Sequence, residues 1–223
     1  MSYEDSQRID EVSMTNSAVS VRKQREDGLR TRKAILLEAV SLATVSGLEG
    51  LSIGELARSL GISKSGLYAH FGSKQELQLA TIDEAERIFN LEVIDPSTKA
   101  PEGLGQLVAV CDLFFEHLQR RTFPGGCFFA SAVLEMGTRP GPVKERVGEF
   151  QQRFIGLVFG FALKAQELGQ LAADEDVMIL VFDINGIILA ANSSYVMNGD
   201  PAMLELARRA VRRRLGANAA VLQ

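Results

Sequence analysis

Residues 61–74 read GISKSGLYAHFGSK, and this stretch decides the fold. Gly61 opens a turn, Ser63 stands where a helix N-cap belongs, and Ile62, Leu67, Tyr68 and Phe71 supply an apolar set around a short helix. His70 is one of only two histidines in the chain. Three chemistries compete here: a catalytic histidine, a glycine loop for phosphate, or a helix laid on a polyanion. A nucleotide loop needs Gly-x4-Gly-Lys-Ser/Thr, and Gly66 is followed by Leu67, so that reading fails. A catalytic His70 needs a nucleophile or carboxylate partner, and none lies nearby in sequence. The alternative for His70 is packing and hydrogen bonding at a helix end.

Outward from this stretch, Ser52-Ile-Gly-Glu55 and Ser73-Lys-Gln-Glu76 both read as capping boxes and predict helix starts. A helix over 52–60 turns inward Ile53, Leu56, Ala57 and Leu60. A turn at Gly61-Ile62-Ser63 leads to a second helix over 64–70. This is a helix-turn-helix pattern, locked by Leu56, Ala57, Ile62 and Leu67. A preceding helix, from Thr31 to its stop at Gly47, carries Ile35, Leu36, Ala39, Leu42 and Ala43 on one face. The second helix would expose Lys64, Ser65, Gly66 and Ala69. Small residues admit close approach to a major groove, and Lys64 and Ser65 can donate to base edges or phosphates. Tyr68 can aim its hydroxyl at a phosphate. The helix start at Ser73, with Lys74, offers an anion site.

The segments TRKAILLEAVSLA (31–43) and GLEGLSIGELARSLGISKSGLYAHFGSKQEL (47–77) closely resemble the DNA-binding domain of the tetracycline-repressor (TetR) family. The resemblance rests on Ser52-Ile53, Leu56-Ala57, Gly61-Ile62-Ser63-Lys64, Leu67-Tyr68, His70-Phe71 and Ser73-Lys74. It implies a homodimeric repressor on double-stranded operator DNA, released by a small-molecule effector in a C-terminal domain. It also implies that Ser52, Lys64, Ser65, Tyr68, His70 and Lys74 face DNA. Ser63 and Gly66 at the head of the reading helix, and Thr31 and Arg32 at the end of a basic stretch, complete the expected DNA-binding set. That stretch, residues 22–33, reads either as an arm along the DNA or as a solvated tail. The segment FPGGCFFASAVLEM (123–136) resembles one found in part of the family.

Charge supports the division. Of the chain's 223 residues, 20–75 hold nine Lys/Arg against five Asp/Glu, a surplus of four, while the whole chain is at −4. The remainder is therefore at −8: a basic head sits on an acidic body. Domains are expected at 1–28 (flexible tail), 29–77 (DNA-binding) and 78–223 (ligand binding and dimerisation). The fold class is all-α with about nine helices. No secretory signal opens the chain. The longest apolar run, Val177–Ala191, is interrupted by Asp183 and Asn185 and reads as a buried helix rather than a membrane span. A cytoplasmic protein is expected, without metal, cofactor or membrane partner.

In the C-terminal part, Phe114, Phe115, His117, Cys127, Phe128, Met136 and Phe154 are the expected effector-pocket residues. The phenylalanines and Met136 among them form, with Phe129, Phe159 and Phe161, an apolar and aromatic set that favours an apolar or aromatic effector. Val181, Ile184, Ile188, Ala191, Leu204 and Val211 are the expected dimer interface, since a helix apolar nearly all round must be covered on every side. Burial within one subunit is the competing reading. Cys111 and Cys127 read either as inert buried thiols or as a redox sensor. The arginines at 208–214 read as a solvated face near a helix C-terminus. An enzyme on the same scaffold is the remaining alternative, for which only His117 and scattered acids offer material.

Overall fold

The computed structural model describes residues 26–216, and every regular element among them is helical. Helix α1 spans 26–46. It starts before Thr31, so residues 26–28, assigned to the tail from sequence, are helical. The tail at 1–25, with Arg22, Lys23 and Arg25 of the basic stretch, lies outside the described residues. Helices α2 (Ile53–Ser59) and α3 (Lys64–Phe71) follow. Ser52 Oγ accepts from Glu55 N–H, Ser63 Oγ from Gly66 N–H and Ser73 Oγ from Glu76 N–H. In both boxes it is the serine half that forms, and the Ser73 N–H donates to Phe71 O at 2.7 Å rather than to Glu76. Gly61, at φ +65, makes the turn that a residue with a Cβ disfavours.

Helix α4 (Lys74–Phe89) runs on through a π-helical turn, Asn90–Ile94, into the single turn α5 (Asp95–Ser97). The Asp95 N–H reaches back to Asn90 O, and Pro96, which has no N–H, sits where the next turn begins. Then come α6 (Leu104–Gln119), α7 (Phe128–Met136), α8 (Pro142–Glu167), α9 (Val177–Asn198) and α10 (Ala202–Arg214).

Two hydrophobic cores result. The smaller joins Ile35, Ala39, Leu51, Ile53, Leu56, Ala57, Leu67, Phe71 and Leu77. Leu56 and Leu67 are fully enclosed, and burying each contributes about 1.5–3 kcal/mol. The larger core fills the C-terminal part but also takes Val40, Ala43 and Leu48 from the first helix and its following loop. Helix α1 therefore belongs to both cores.

In the C-terminal part α9 packs against α10, α8 and α6, while α8 also packs against α4 and α7. Of the α10 arginines, Arg209 and Arg213 are exposed as their spacing suggests, whereas Arg208, Arg212 and Arg214 are paired. Arg208 and Arg212 hold Asp112 of α6 at 2.7 and 3.1 Å, and Arg214 holds Glu175 and Asp183, each at 2.7 Å. The guanidinium of Arg208 also lies 5.5 Å from the centre of the Phe115 ring. Charges spaced along an exposed helix look solvated until the acids on its neighbours are known.

Candidate functional site

The head presents one exposed polar face. Lys64, Ser65, Tyr68 and Ala69 of α3 are exposed, as are Ser52 and Ser63 at the two N-caps. Leu67 and Phe71 on the opposite face are buried. Tyr68 is 49% exposed. Ser63 and Ser65 hydroxyls lie 3.1 Å apart. With Gly66 between Ser65 and Leu67, the N-terminal turn of α3 is slim enough to enter a major groove.

Two of the residues expected at DNA also bond within the head. Arg32 donates to His70 O at 2.6 Å and stacks its guanidinium 4.3 Å from the centre of the Phe71 ring. It pins α1 to the end of α3. Lys74 donates to the Glu49 backbone carbonyl at 2.6 Å and to its carboxylate at 3.1 Å. This pair holds the Glu49 carboxyl below its usual range, the bond from Lys74 being the main cause. A lysine at a helix start reads as an anion site from sequence; the acid that takes it comes from another loop. His70 is half-buried beside Phe71, as a fixture of the helix end. Thr31 is exposed and bonds back to Asp27 O at 2.9 Å.

Residues 47–49 connect this head to the C-terminal part. The Glu135 carboxylate, near the end of α7, accepts from the N–H groups of Leu48 and Glu49, both at 2.8 Å. Gln78 of α4, buried, donates to Leu48 O at 2.9 Å. Gly47 is at φ +81, and a Cβ there would come within 2.8 Å of the Glu135 carboxylate. A second tie joins Gly125 N–H to Thr44 Oγ1 at 3.1 Å. Sequence gives no signal for Glu135, which reads as one more acid on a helix.

Between α4, α6, α7, α8 and α9 lies a cavity of about 70 Å³. Its walls are aromatic and aliphatic: Phe89, Phe114, Phe129, Phe150, Phe154 and Ile188 dominate, with Cys127, Gln151 and Asn185 as the polar edge. The Phe129 and Phe150 rings stack at 3.4 Å, and Phe89 meets both edge-on. Of the expected pocket residues, Phe114, Cys127 and Phe154 line it. Phe115, His117, Phe128 and Met136 do not; all four are buried elsewhere in the core. The cause is helix phase: Phe115 is one residue round from Phe114 and turns toward Arg208 of α10.

His117 is buried too, with Nδ1 2.7 Å from Glu92 of the π turn and its ring edge-on to Phe89 and Phe123. Thr122 donates to the same Glu92 carboxylate at 2.9 Å. Burial lowers the His117 pKa, against the opposing pull of Glu92. Cys111 and Cys127 are free thiols, buried, with burial pushing their pKa values up to about 12 and about 11.

For the expected dimer residues the structure favours the competing reading, burial within one subunit. Val181, Ile184, Ile188, Ala191, Leu204 and Val211 are all buried inside their own subunit, none more than 4% exposed. Ile188 lines the cavity. The face of α9 left open is instead Met178, Ile179, Phe182, Gly186, Leu189 and Met197, with Phe182 at 77% exposed. Leu206 of α10 continues it. By length and composition α9 could cross a membrane, but 39% of its most apolar stretch is buried within this domain.

Comparison with known proteins gives two family models. Residues 35–81 match "Bacterial regulatory proteins, tetR family", and residues 103–211 match "Tetracyclin repressor-like, C-terminal domain". An HTH-type transcriptional regulator of Haemophilus influenzae is 30% identical over 95 residues, 42% of this chain and 46% of that protein. The aligned stretch thus spans about half of that relative. Among solved structures, a TetR transcriptional regulator from Chloroflexus aurantiacus is similar, with a TM-score of 0.77 and 22% identity, covering 83% of this chain and 94% of that one. The regulator AibR, solved with isovaleryl coenzyme A and operator DNA, has a TM-score of 0.67 and 22% identity, covering 81% and 95%. A cysteine mutant of the TetR-family regulator CifR on a 26-bp double-strand operator has a TM-score of 0.68 and 23% identity, covering 80% and 93%.

Proposed function

The chain belongs to the TetR family of DNA-binding transcriptional regulators, and from that premise we propose that it is a homodimeric repressor. It binds a palindromic operator and releases it when a neutral, apolar or aromatic effector enters the cavity between α6, α7, α8 and α9. The observation that carries the reading is the slim, exposed N-terminal turn of α3, with Lys64, Ser65 and Tyr68 outward on a buried Leu67–Phe71 base. Lys64 and Ser65 read base edges and Tyr68 grips phosphate. The open apolar face of α9 and α10 is the dimer surface, which brings two α3 helices to successive major grooves about 34–36 Å apart.

The effector class follows from the cavity walls. No Lys, Arg or His lines them, so nothing there balances a carboxylate or phosphate. Gln151 and Asn185 offer amides for one neutral polar group. At about 70 Å³ the cavity is far smaller than the roughly 300–1,000 Å³ of a ligand site. An effector must therefore part the stacked Phe129 and Phe150 rings, and that movement is the signal. A ligand acts only by binding the released state better than the DNA-bound one. The chain acts without cofactor or metal, as a regulator rather than an enzyme, in the cytoplasm where its operator lies.

The test is selection from random duplexes with the purified protein, followed by a screen of neutral aromatic and acidic compounds for release. A palindrome released by neutral aromatics is expected. Enrichment of no sequence, or release by acids alone, rejects the operator or the effector reading respectively.

A further inference from the structure

We propose that Glu135 is the residue through which the cavity controls the head: filling the cavity turns α7 and withdraws the Glu135 carboxylate from the Leu48 and Glu49 amides. This rests on the cavity being the effector site. Helix α7 has two working sides. Cys127 at its N-cap and Phe129, Ala130, Val133 and, at the rim, Leu134 within it line the cavity. Glu135 follows Val133 by two residues, about 200° round the helix, and its two oxygens each hold one backbone N–H of the head at 2.8 Å. A short helix packed on its neighbours moves as a unit, so a ring displaced at Phe129 and a carboxylate displaced at Glu135 are one event.

The grip is specific to this pair of amides. Gly47 leaves the space the carboxylate needs, since a Cβ there would sit 2.8 Å from it. The same two residues are held on their carbonyl side by α4: Gln78 donates to Leu48 O at 2.9 Å and Lys74 to Glu49 O at 2.6 Å. Arg139, just past α7, lies 3.7 Å from the Glu49 carboxylate. Residues 48–49 are thus the point where α7 meets the start of α4. Lys74 begins α4 directly after α3 and Gly72, so a shift of this loop carries to the helix that reads DNA. When the carboxylate leaves, both amides turn to water, α4 loses one side of its clamp, and the two α3 helices lose their spacing.

The experiment uses N-phenyl-1-naphthylamine, a neutral aromatic dye, as the probe. Its uptake is read by fluorescence in wild type and in Ala130→Trp and Val133→Trp, which fill the cavity. The Leu48 and Glu49 amide resonances and the operator Kd are then followed with and without dye, in wild type and in Glu135→Ala. The expected result has four parts: uptake blocked by the Trp variants; both amides shifting in wild type; the operator Kd rising roughly fivefold or more with dye; and a rise under about twofold in Glu135→Ala. If the dye does not enter, or enters the Trp variants equally, the cavity reading falls and the inference with it. Uptake with unmoved amides, or an equal rise of Kd in Glu135→Ala, overturns the inference alone.

Discussion

Helices α3 and α9 differ in how their faces are set. In α3 the polar and apolar positions alternate at helical spacing, so Leu67 and Phe71 go inward and Lys64, Ser65 and Tyr68 outward. In α9 apolar positions occur on every side of the helix, and the sequence carries no phase. The neighbours α6, α8 and α10 choose which side is buried. They take Leu180, Val181, Ile184, Ile188 and Ala191 and leave Ile179, Phe182, Leu189 and Met197 outside. A patterned helix declares its partner; an unpatterned one accepts whichever face the fold offers.

The strongest way to break this comparison lies within α9 itself. Ile184→Ala is expected to cost about 2–5 kcal/mol in unfolding stability, with the oligomeric state kept. Phe182→Glu is expected to leave chemical denaturation of the subunit little changed while yielding monomers in light scattering. Exchange of the two outcomes would return the dimer face to the side expected from sequence. In α3, Ser65→Ala and Lys64→Ala are expected to alter base preference by about 1–3 kcal/mol at single positions. Tyr68→Ala instead weakens all sequences about equally and leaves the salt slope unchanged, because a neutral hydroxyl on a phosphate releases no counterion. A selection experiment that returned the same consensus for Ser65→Ala and Lys64→Ala would remove both as readers.

Smaller effects sharpen the C-terminal side. With thiol pKa values of about 12 and about 11, Cys111 and Cys127 stay protonated near neutral pH, and oxidation starts from the thiolate. Operator affinity is expected to be unaltered by peroxide and by Cys111→Ser with Cys127→Ser. A peroxide response lost in that double variant would restore a redox sensor. His117 gives the smallest effect. Burial lowers its folded-state pKa, so below about pH 6.5 the unfolded chain binds a proton that the folded chain refuses. Stability contributed by neutral His117 is therefore present above that pH and lost as pH falls toward the folded value. Thermal melts are expected to drop from pH 7 to pH 5, less steeply in His117→Gln; equal slopes would deny His117 this role.

The head was legible because its signals are local. Ser52, Ser63 and Ser73 each cap the helix that begins beside them, and Gly61 turns the chain where a turn is needed. What sequence missed are meetings across the fold: Lys74 with Glu49, Glu135 with the 48–49 amides, Asp112 with Arg208. Each joins residues 25 or more apart in the chain, and their residue types suit a solvated surface equally well. The cavity was half legible for the same reason. Aromatic content was visible, but Phe114 and Phe115 differ only by helix phase, and phase is set by packing.

Native mass spectrometry of the chain on its selected duplex tests the central claim most directly. Two chains per duplex are expected for wild type, with no complex after replacing Lys64, Ser65 and Tyr68 together by Ala. A single bound chain, or a complex that survives that triple replacement, contradicts a two-headed regulator reading DNA through α3.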